Sequence, residues 1–409
     1  MDLAAFLALR TRAGQALLGE LAAAGSLDDA AALRLGSRLR RDHPADLVAA
    51  AITQARLRQR AVAKFGDAAA AMWFTPDGLE QATHPAVAAH RAARLAALCP
   101  GATVLDLCCG IGSDLLAMRA AHLRPTGVDA DPLTVAVATA NLAATGEDVL
   151  DVQIGDARTA DLTGADVVFV DPARRSARGR VFDPDAYSPP WPFVRDLLDR
   201  RPALAKMAPG IPHELAPAGV EIEWVSLRGE VKEAALWSRD LADGRRRRAT
   251  LLPGGHELSA AGPDTEEVPP PVGPPGRWLY EPDGAVIRAH LVGAVVEAVE
   301  GRLLDPTIAY VTSDALVPTP FATAYEITDV LPFHVGRLRA VLRERGVGIV
   351  VVKKRGSSVL PEQLRRDLLR GARGGGVRGT AEVTVFVTRH AGGQIAMLGH
   401  PAAPRPAAT

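Results

Sequence analysis

The sequence predicts a doubly wound, largely parallel α/β sheet, with a helical domain before it and smaller α+β units after it. Three observations predict this. From Thr103 onward, short apolar runs alternate with stretches at helical spacing, the mark of strand–helix–strand units. Before about residue 95 the chain is rich in Ala, Leu and Arg, with apolar residues at helical spacing only. Between residues 259 and 277, six prolines and three glycines break every periodicity.

At 409 residues the chain is too long for one ordinary domain. Lys+Arg and Asp+Glu both total 47, so no net charge argues for nucleic acid, although a local basic patch is not excluded. With 48% hydrophobic and 23% charged residues the composition is globular, which excludes a disordered chain. No apolar run approaches the ~18 residues of a membrane span, and the N-terminus lacks the basic start of a signal peptide. Cys99, Cys108 and Cys109 form no disulfide framework and no metal-ligand spacing, so a metal-free protein of the reducing cytoplasm is expected.

Ser26-Leu27-Asp28-Asp29 resembles a capping box opening a second helix, and Pro44 suits the first turn of a third, running to about Phe65. Strands are expected at 103–107, 124–129, 150–154, 166–170, 203–208, 219–227 and 230–238. Helices fit at 112–121, 132–144 and 191–200. Only Arg228 and Gly229 separate the last two strands, so they should form an antiparallel hairpin at the sheet edge. Beyond the Pro-rich stretch, helix 284–300 and strand 307–312 open one unit. Helix 334–345, strand 347–353, helix 361–371 and strand 381–388 make another. The expected domains are 1–95 (helical), 96–258 (sheet), 259–277 (linker), 278–333 (small α+β), 334–400 (basic α+β) and 401–409 (disordered tail).

The candidate chemistry lies at the carboxyl ends of the strands, where open α/β sheets bind ligands. The first strand runs into Asp106-Leu107-Cys108-Cys109-Gly110-Ile111-Gly112-Ser113-Asp114. Gly110 and Gly112 let the backbone approach a ligand. A dinucleotide fingerprint wants a third Gly where this chain has Leu115, and Asp106 repels a diphosphate but suits a cationic amino-acid end. The second strand ends at Asp129, placed to grip a ribose diol. The third ends at Gly155-Asp156-Ala157, where a carboxylate can accept from an adenine amine. The fourth ends at Asp171-Pro172-Ala173-Arg174. Any one acid could be a helix cap; four in order make coincidence a poor explanation.

This ordered set resembles the class I S-adenosylmethionine-dependent methyltransferases, with their Rossmann-like sheet. The resemblance implies that Asp106, Cys108, Gly110, Gly112 and Asp114 hold the methionine end, Asp129 the ribose, and Asp156 with Ala157 the adenine. Asp171, Pro172 and Arg174 would then serve the acceptor. The Leu105–Asp114 segment, with Trp73-Phe74 and Thr83-His84-Pro85 upstream, is similar to trimethylguanosine synthase-like enzymes. The domain order is similar to bacterial methyltransferases ending in a ferredoxin-like or THUMP-like unit, which implies structured RNA, such as tRNA or rRNA, as partner. One departure stands out. Amine-methylating enzymes carry a second Pro and an aromatic after the fourth-strand acid, and this chain has Ala173 and Arg174. Ser188-Pro189-Pro190-Trp191 follows 17 residues later, flanked by Tyr187 and Phe193. Tyr187 and Trp191 either stack on a flipped base or anchor the next helix. Cytosine C5 chemistry would need a thiolate near the fourth strand, and the cysteines lie at the first.

Residues 331–380 hold 12 Lys/Arg against three acids, including Lys353-Lys354-Arg355 in a chain with only five lysines. With Arg174 and Arg175, and with Arg245–Arg248, they are candidate phosphate contacts. The expected protein is therefore a methyltransferase acting on a base nitrogen of structured RNA, guanine N2 being one candidate atom. A small-molecule or protein acceptor, and a non-catalytic cofactor-binding protein, remain open alternatives.

Overall fold

The computed structural model describes residues 1–144, 151–173, 175–176, 179–180, 184–261, 268–370 and 379–402. The chain forms two compact units. Unit 1 comprises Met1–Ile222 and Glu233–Gly244, and unit 2 comprises Glu223–Lys232 and Arg245–Thr409.

Unit 1 opens with helices Leu3–Leu9, Arg12–Ala23, Asp29–Leu39 and Ala45–Phe65. The start signal near Ser26 is used by Asp28, whose carboxylate accepts from Ala31 N at 2.7 Å. These helices do not stand apart. Phe6, Leu9, Leu17, Leu21, Val48 and Leu57 share one core with Trp73, Phe74, Leu79, Ile111 and Val137, so residues 1–95 form a wall of the sheet unit.

The strands of unit 1 are β1 (Thr103–Leu107), β2 (Arg124–Asp129), β3 (Val152–Ile154), β4 (Val167–Val170), a two-residue ladder of β5 (Arg175–Ser176) and β6 (Gly179–Arg180), β7 (Ala203–Met207) and most of β9 (Glu230–Trp237), while β8 (Glu221–Leu227) falls mostly in unit 2. Their order in the main sheet is β9–β7–β4–β1–β2–β3. All neighbours are parallel except β9, which runs antiparallel to β7. The central parallel strands are covered on both faces, so β4 reads as an unbroken Val-Val-Phe-Val, wholly buried. Val104, Val167, Phe169, Leu204 and Trp237 pack with Ala92 and Leu95 of helix Pro85–Leu98.

The hairpin forms as expected, with Arg228 and Gly229 at positive φ in its turn, but it is not the sheet edge. In unit 2, β8 is followed outward by β10 (Arg245–Leu252) and β11 (His256–Ala261). The four arginines that open β10 mask its strand pattern in the sequence.

The Pro-rich stretch is not a free linker either. Residues 256–261 are strand, and Gly273 N and Leu303 N exchange hydrogen bonds with Leu303 O and Pro271 O at 2.9 and 2.8 Å. The next seven strands are β12 (Trp278–Pro282), β13 (Arg302–Asp305), β14 (Ile308–Ser313), β15 (Ala322–Pro332), β16 (Val347–Lys354), β17 (Ala381–His390) and β18 (Gly393–Pro401). They form one sheet, ordered β13–β14–β12–β15–β18–β17–β16, so the two expected α+β units are one body. Along β17, Val383, Val385 and Val387 face helices Val335–Glu344 and Pro361–Leu369, while Phe386 meets Tyr310 and Tyr325 on the other face. That alternation is the period-two pattern of a strand.

Candidate active site

A cavity of about 630 Å³ opens at the carboxyl edge of β1, β2, β4 and β7. Asp106, Cys108, Gly110, Asp114, Asp129, Asp171, Pro172 and Lys206 line it, under a cover formed by residues 75–83. The loop after β1 takes its shape from three left-handed residues, Cys108, Gly110 and Gly112, with φ of 72°, 55° and 83°. Gly112 itself does not line the cavity; it turns the chain into helix Ser113–Ala120. At Gly127 of β2 a Cβ would lie 3.0 Å from the Cys109 sulfur, so that glycine seats the loop. Asn141 joins loop and cover. Its side chain accepts from Trp73 N at 2.7 Å and donates to Trp73 O at 3.0 Å and Ile111 O at 2.9 Å.

Asp129 accepts from Gly110 N and Asp131 N, each at 3.0 Å. A carboxylate offers about four acceptor sites, so two remain for a ligand. Burial raises its pKa in spite of those bonds. Asp106 is 1% exposed, and its Oδ1 has no hydrogen-bond partner among the described residues. Burial, then repulsion from Asp114 and Asp171, holds its carboxyl well above the ordinary range, with Arg91 pulling the other way. The same influences keep the Cys108 thiol protonated: burial first, then Asp129 and Asp106. No nucleophilic thiolate is thus available at this loop.

Beneath the cavity lies a buried ion cluster. Arg91, 2% exposed, pairs with Asp114 at 2.5 Å and with Glu233, and stands 4.8 Å over the Phe169 ring. Lys206 donates to Asp171 at 2.5 Å and to the Thr83 hydroxyl at 3.0 Å, and Thr83 donates to Asp114 at 2.8 Å. Burial alone would raise the carboxyl of Asp114, but Arg91 and Lys206 hold it below its ordinary value. Burial alone would lower the ammonium of Lys206, but Asp171, Asp114 and Glu233 raise it. Four acids, Asp106, Asp114, Asp171 and Glu233, face two cations, Arg91 and Lys206, so that ionisation of the raised Asp106 carboxyl would give the site a negative charge for a cationic ligand.

The structure thus brings Asp106, Cys108, Gly110, Asp114, Asp129, Asp171 and Pro172 together, with Asp114 committed to the ion cluster. Asp156 and Ala157 are not among the lining residues. Asp156 is taken up by Arg158 at 2.6 Å, which lowers it to about 2, and it borders a separate cavity of about 450 Å³. Tyr187 and Trp191 are 5% and 6% exposed and line neither cavity; they anchor helix Trp191–Arg200, which leaves no open stacking face. Arg174 lies outside the described residues, as does the side chain of Arg175. In unit 2, Lys353 pairs with Glu281 and lies 5.7 Å over the Tyr325 ring, Arg355 lies 5.4 Å over Tyr310, and Lys354 is exposed. Arg248 is buried against Glu257, which removes it as a phosphate contact.

Sequence reasoning missed Arg91, Lys206 and Glu233, and gave Thr83 only as part of the upstream segment. Lys206 carried a signal, a lysine inside the apolar run Ala203–Met207 of a lysine-poor chain. Arg91 carried none, as one arginine among many.

The parallel sheet and the acidic cavity at its carboxyl edge define a Rossmann-like protein built to hold a nucleoside with a cationic end. Comparisons bear on which. The chain is 38% identical over 357 residues, 83% of its length, to an uncharacterized S-adenosylmethionine-dependent methyltransferase of Mycobacterium tuberculosis, of which 92% is covered. The same relative occurs in a second strain of that species. The crystal structure of a Porphyromonas gingivalis protein assigned as a methyltransferase matches with TM-score 0.70 at 21% identity, over 92% of this chain and 100% of that one. Residues 322–401 match the THUMP domain-like family, and residues 2–61 match a domain of unknown function, DUF8688. The chain belongs to the S-adenosylmethionine-dependent methyltransferase family, and S-adenosyl-L-methionine is its cofactor. The site's residues fit that molecule: an orphaned buried carboxylate oxygen, an acidic surround for a sulfonium and an ammonium, and a half-satisfied Asp129. Among the described residues no helix is long and apolar enough to cross a membrane.

Proposed function

We propose that this enzyme methylates a base nitrogen in structured RNA, with guanine N2 as one candidate atom and with kinship to trimethylguanosine synthase-like enzymes. The observation that carries the reading is the cavity shared by Asp106, Asp129 and Asp171 at three strand ends. Asp106 faces the ammonium of the methionine end. Asp129 offers its two remaining acceptor sites to the ribose diol, while Gly110 and Asp131 keep it aimed. S-adenosylmethionine supplies an electrophilic methyl carbon on sulfur. Asp171 and the Pro172 region hold the acceptor so that its nitrogen lone pair meets that carbon. With the cofactor bound, Asp171 would hold the acceptor N–H beside the methyl group and take up the proton that the nitrogen gives up, the C–S electron pair staying with sulfur. The thiols stay protonated, which argues against a cysteine adduct. The THUMP-like match at 322–401 and the surrounding basic residues support RNA as partner.

The test is nucleoside mass spectrometry of total RNA from cells with and without the gene. Loss of one N-methylated nucleoside supports the reading. An unchanged nucleoside profile, with methyl transfer to a small molecule or a protein, refutes it.

A further inference from the structure

We propose that Lys206 and Thr83 are positioning residues for methyl transfer: Lys206 fixes the aim of Asp171, and Thr83, at the end of the cover, fixes Lys206. The inference rests on the reading of Asp171 as the group that meets the acceptor. Asp171 follows the last residue of β4 and lines the cavity. The terminal torsion of an aspartate is broad and two-fold, so its oxygens have no fixed direction of their own. Lys206 supplies one. It stands on β7, the parallel neighbour of β4, and donates to Asp171 Oδ2 at 2.5 Å. Oδ1 has no partner among the described residues and is left for the acceptor.

A lysine alone is a poor fixture, because its four-carbon stem is flexible and its donors rotate. A second contact removes that freedom: Lys206 also donates to Thr83 Oγ1 at 3.0 Å. A hydroxyl has one donor and two acceptor lone pairs. Thr83, 5% exposed, uses all three, donating to Asp114 at 2.8 Å and accepting from Lys206 and, at 3.4 Å, from Arg91. Arg91 in turn holds Asp114 at 2.5 Å. A bonded line thus runs from the cover to the acceptor acid through Thr83 and Lys206. Neutralising the buried acids needs the two cations only. The uncharged Thr83 hydroxyl adds direction and no charge, which marks the line as a device of geometry. Geometry is costly to lose, since a misplacement of about 1 Å can cost about 100-fold in rate.

The test incubates the full-length protein with methyl-labelled S-adenosylmethionine and bulk RNA from cells lacking the gene. Thr83→Val keeps the shape of the side chain and drops the hydroxyl. Its kcat should fall about tenfold or more, the worth of one bond to a charged group. KM for RNA, and S-adenosylmethionine affinity measured by calorimetry, should stay within a few-fold. Thr83→Ser, which restores the hydroxyl, should restore kcat. If Thr83→Val does not fold, Thr83→Ala carries the same comparison with less crowding. Because Thr83 acts through Asp171, Thr83→Val should cost no further kcat in an Asp171→Asn background. A folded Thr83→Val protein with the unsubstituted kcat, or an equal loss in both backgrounds, overturns the inference while the reading of Asp171 stands. An Asp171→Asn protein with the unsubstituted kcat overturns that reading and the inference with it. Absence of label from RNA in the unsubstituted protein overturns the proposed function itself, and the inference falls too.

Discussion

Asp106 has a buried carboxyl oxygen without a hydrogen-bond partner among the described residues, and its protonation should govern cofactor binding. Its pKa is raised by burial and by Asp114 and Asp171. A cation beside it needs the ionised form, so below the raised pKa binding must first expel a proton. Affinity for S-adenosylmethionine should therefore climb with pH through the window above the ordinary carboxylate range, by at most about tenfold per pH unit for one proton. The stability sign is the opposite. A carboxyl raised in the folded state takes up its proton more readily there, so the ligand-free protein loses stability as pH rises through the same window. Asp106→Asn should flatten both trends. Calorimetric titration across that window tests this, and a pH-independent affinity in the unsubstituted protein would refute it. At Asp129 the expectation is simpler: if it holds the ribose diol as proposed, Asp129→Ala should weaken binding at least about tenfold, with the fold retained.

Between elements, the link most exposed to test is Asn141. It lies in helix Pro132–Ala143 and ties Trp73 to Ile111, fixing the cover segment against the glycine loop. It is 2% exposed, so Asn141→Ala would leave three buried backbone groups unpaired. At about 1–3 kcal/mol each, a loss of about 3 kcal/mol or more in unfolding free energy is expected, with weaker cofactor binding. Denaturant melts and titration of the same variant measure both. Elements like this helix were legible because their patterns are local. β1 and β4 show as apolar runs because both sheet faces are covered. β18 was not legible. Its buried Ala396-Met397-Leu398 is short, glycines and Pro401 flank it, and it shows no strand pattern in the sequence although it is internal to its sheet. In the site, the acids could be read because strand ends converge by topology. The cluster of Arg91 and Glu233 could not, since 142 residues separate a pair made only by folding.

For the whole molecule, a chain of zero net charge must find any grip on RNA locally. The basic excess of residues 331–380 is less free than its count implies. Arg345 pairs with Asp329, Arg365 with Glu362 and Arg370 with Asp367, while Arg339 donates to Asp367 O. Lys353 is held by Glu281, and Arg355 lies 3.9 Å from the same carboxylate. A phosphate approaching these two cations must compete with Glu281, whereas Lys354 is exposed. Counterion release scales with phosphate contacts, so each lost contact should flatten the log–log salt dependence of RNA affinity by about 0.7–0.9. Lys354→Ala should then cost about one such step. Glu281→Gln should tighten RNA binding and steepen the slope, because it frees Lys353 and Arg355 without adding a cation. Substituting Lys353, Lys354 and Arg355 together should lower the slope by about two steps or more and leave S-adenosylmethionine affinity unchanged. RNA affinity measured at several salt concentrations for the three variants decides. A Glu281→Gln slope equal to that of the unsubstituted protein would mean that phosphates do not reach this face, and that the RNA contact lies elsewhere on the chain.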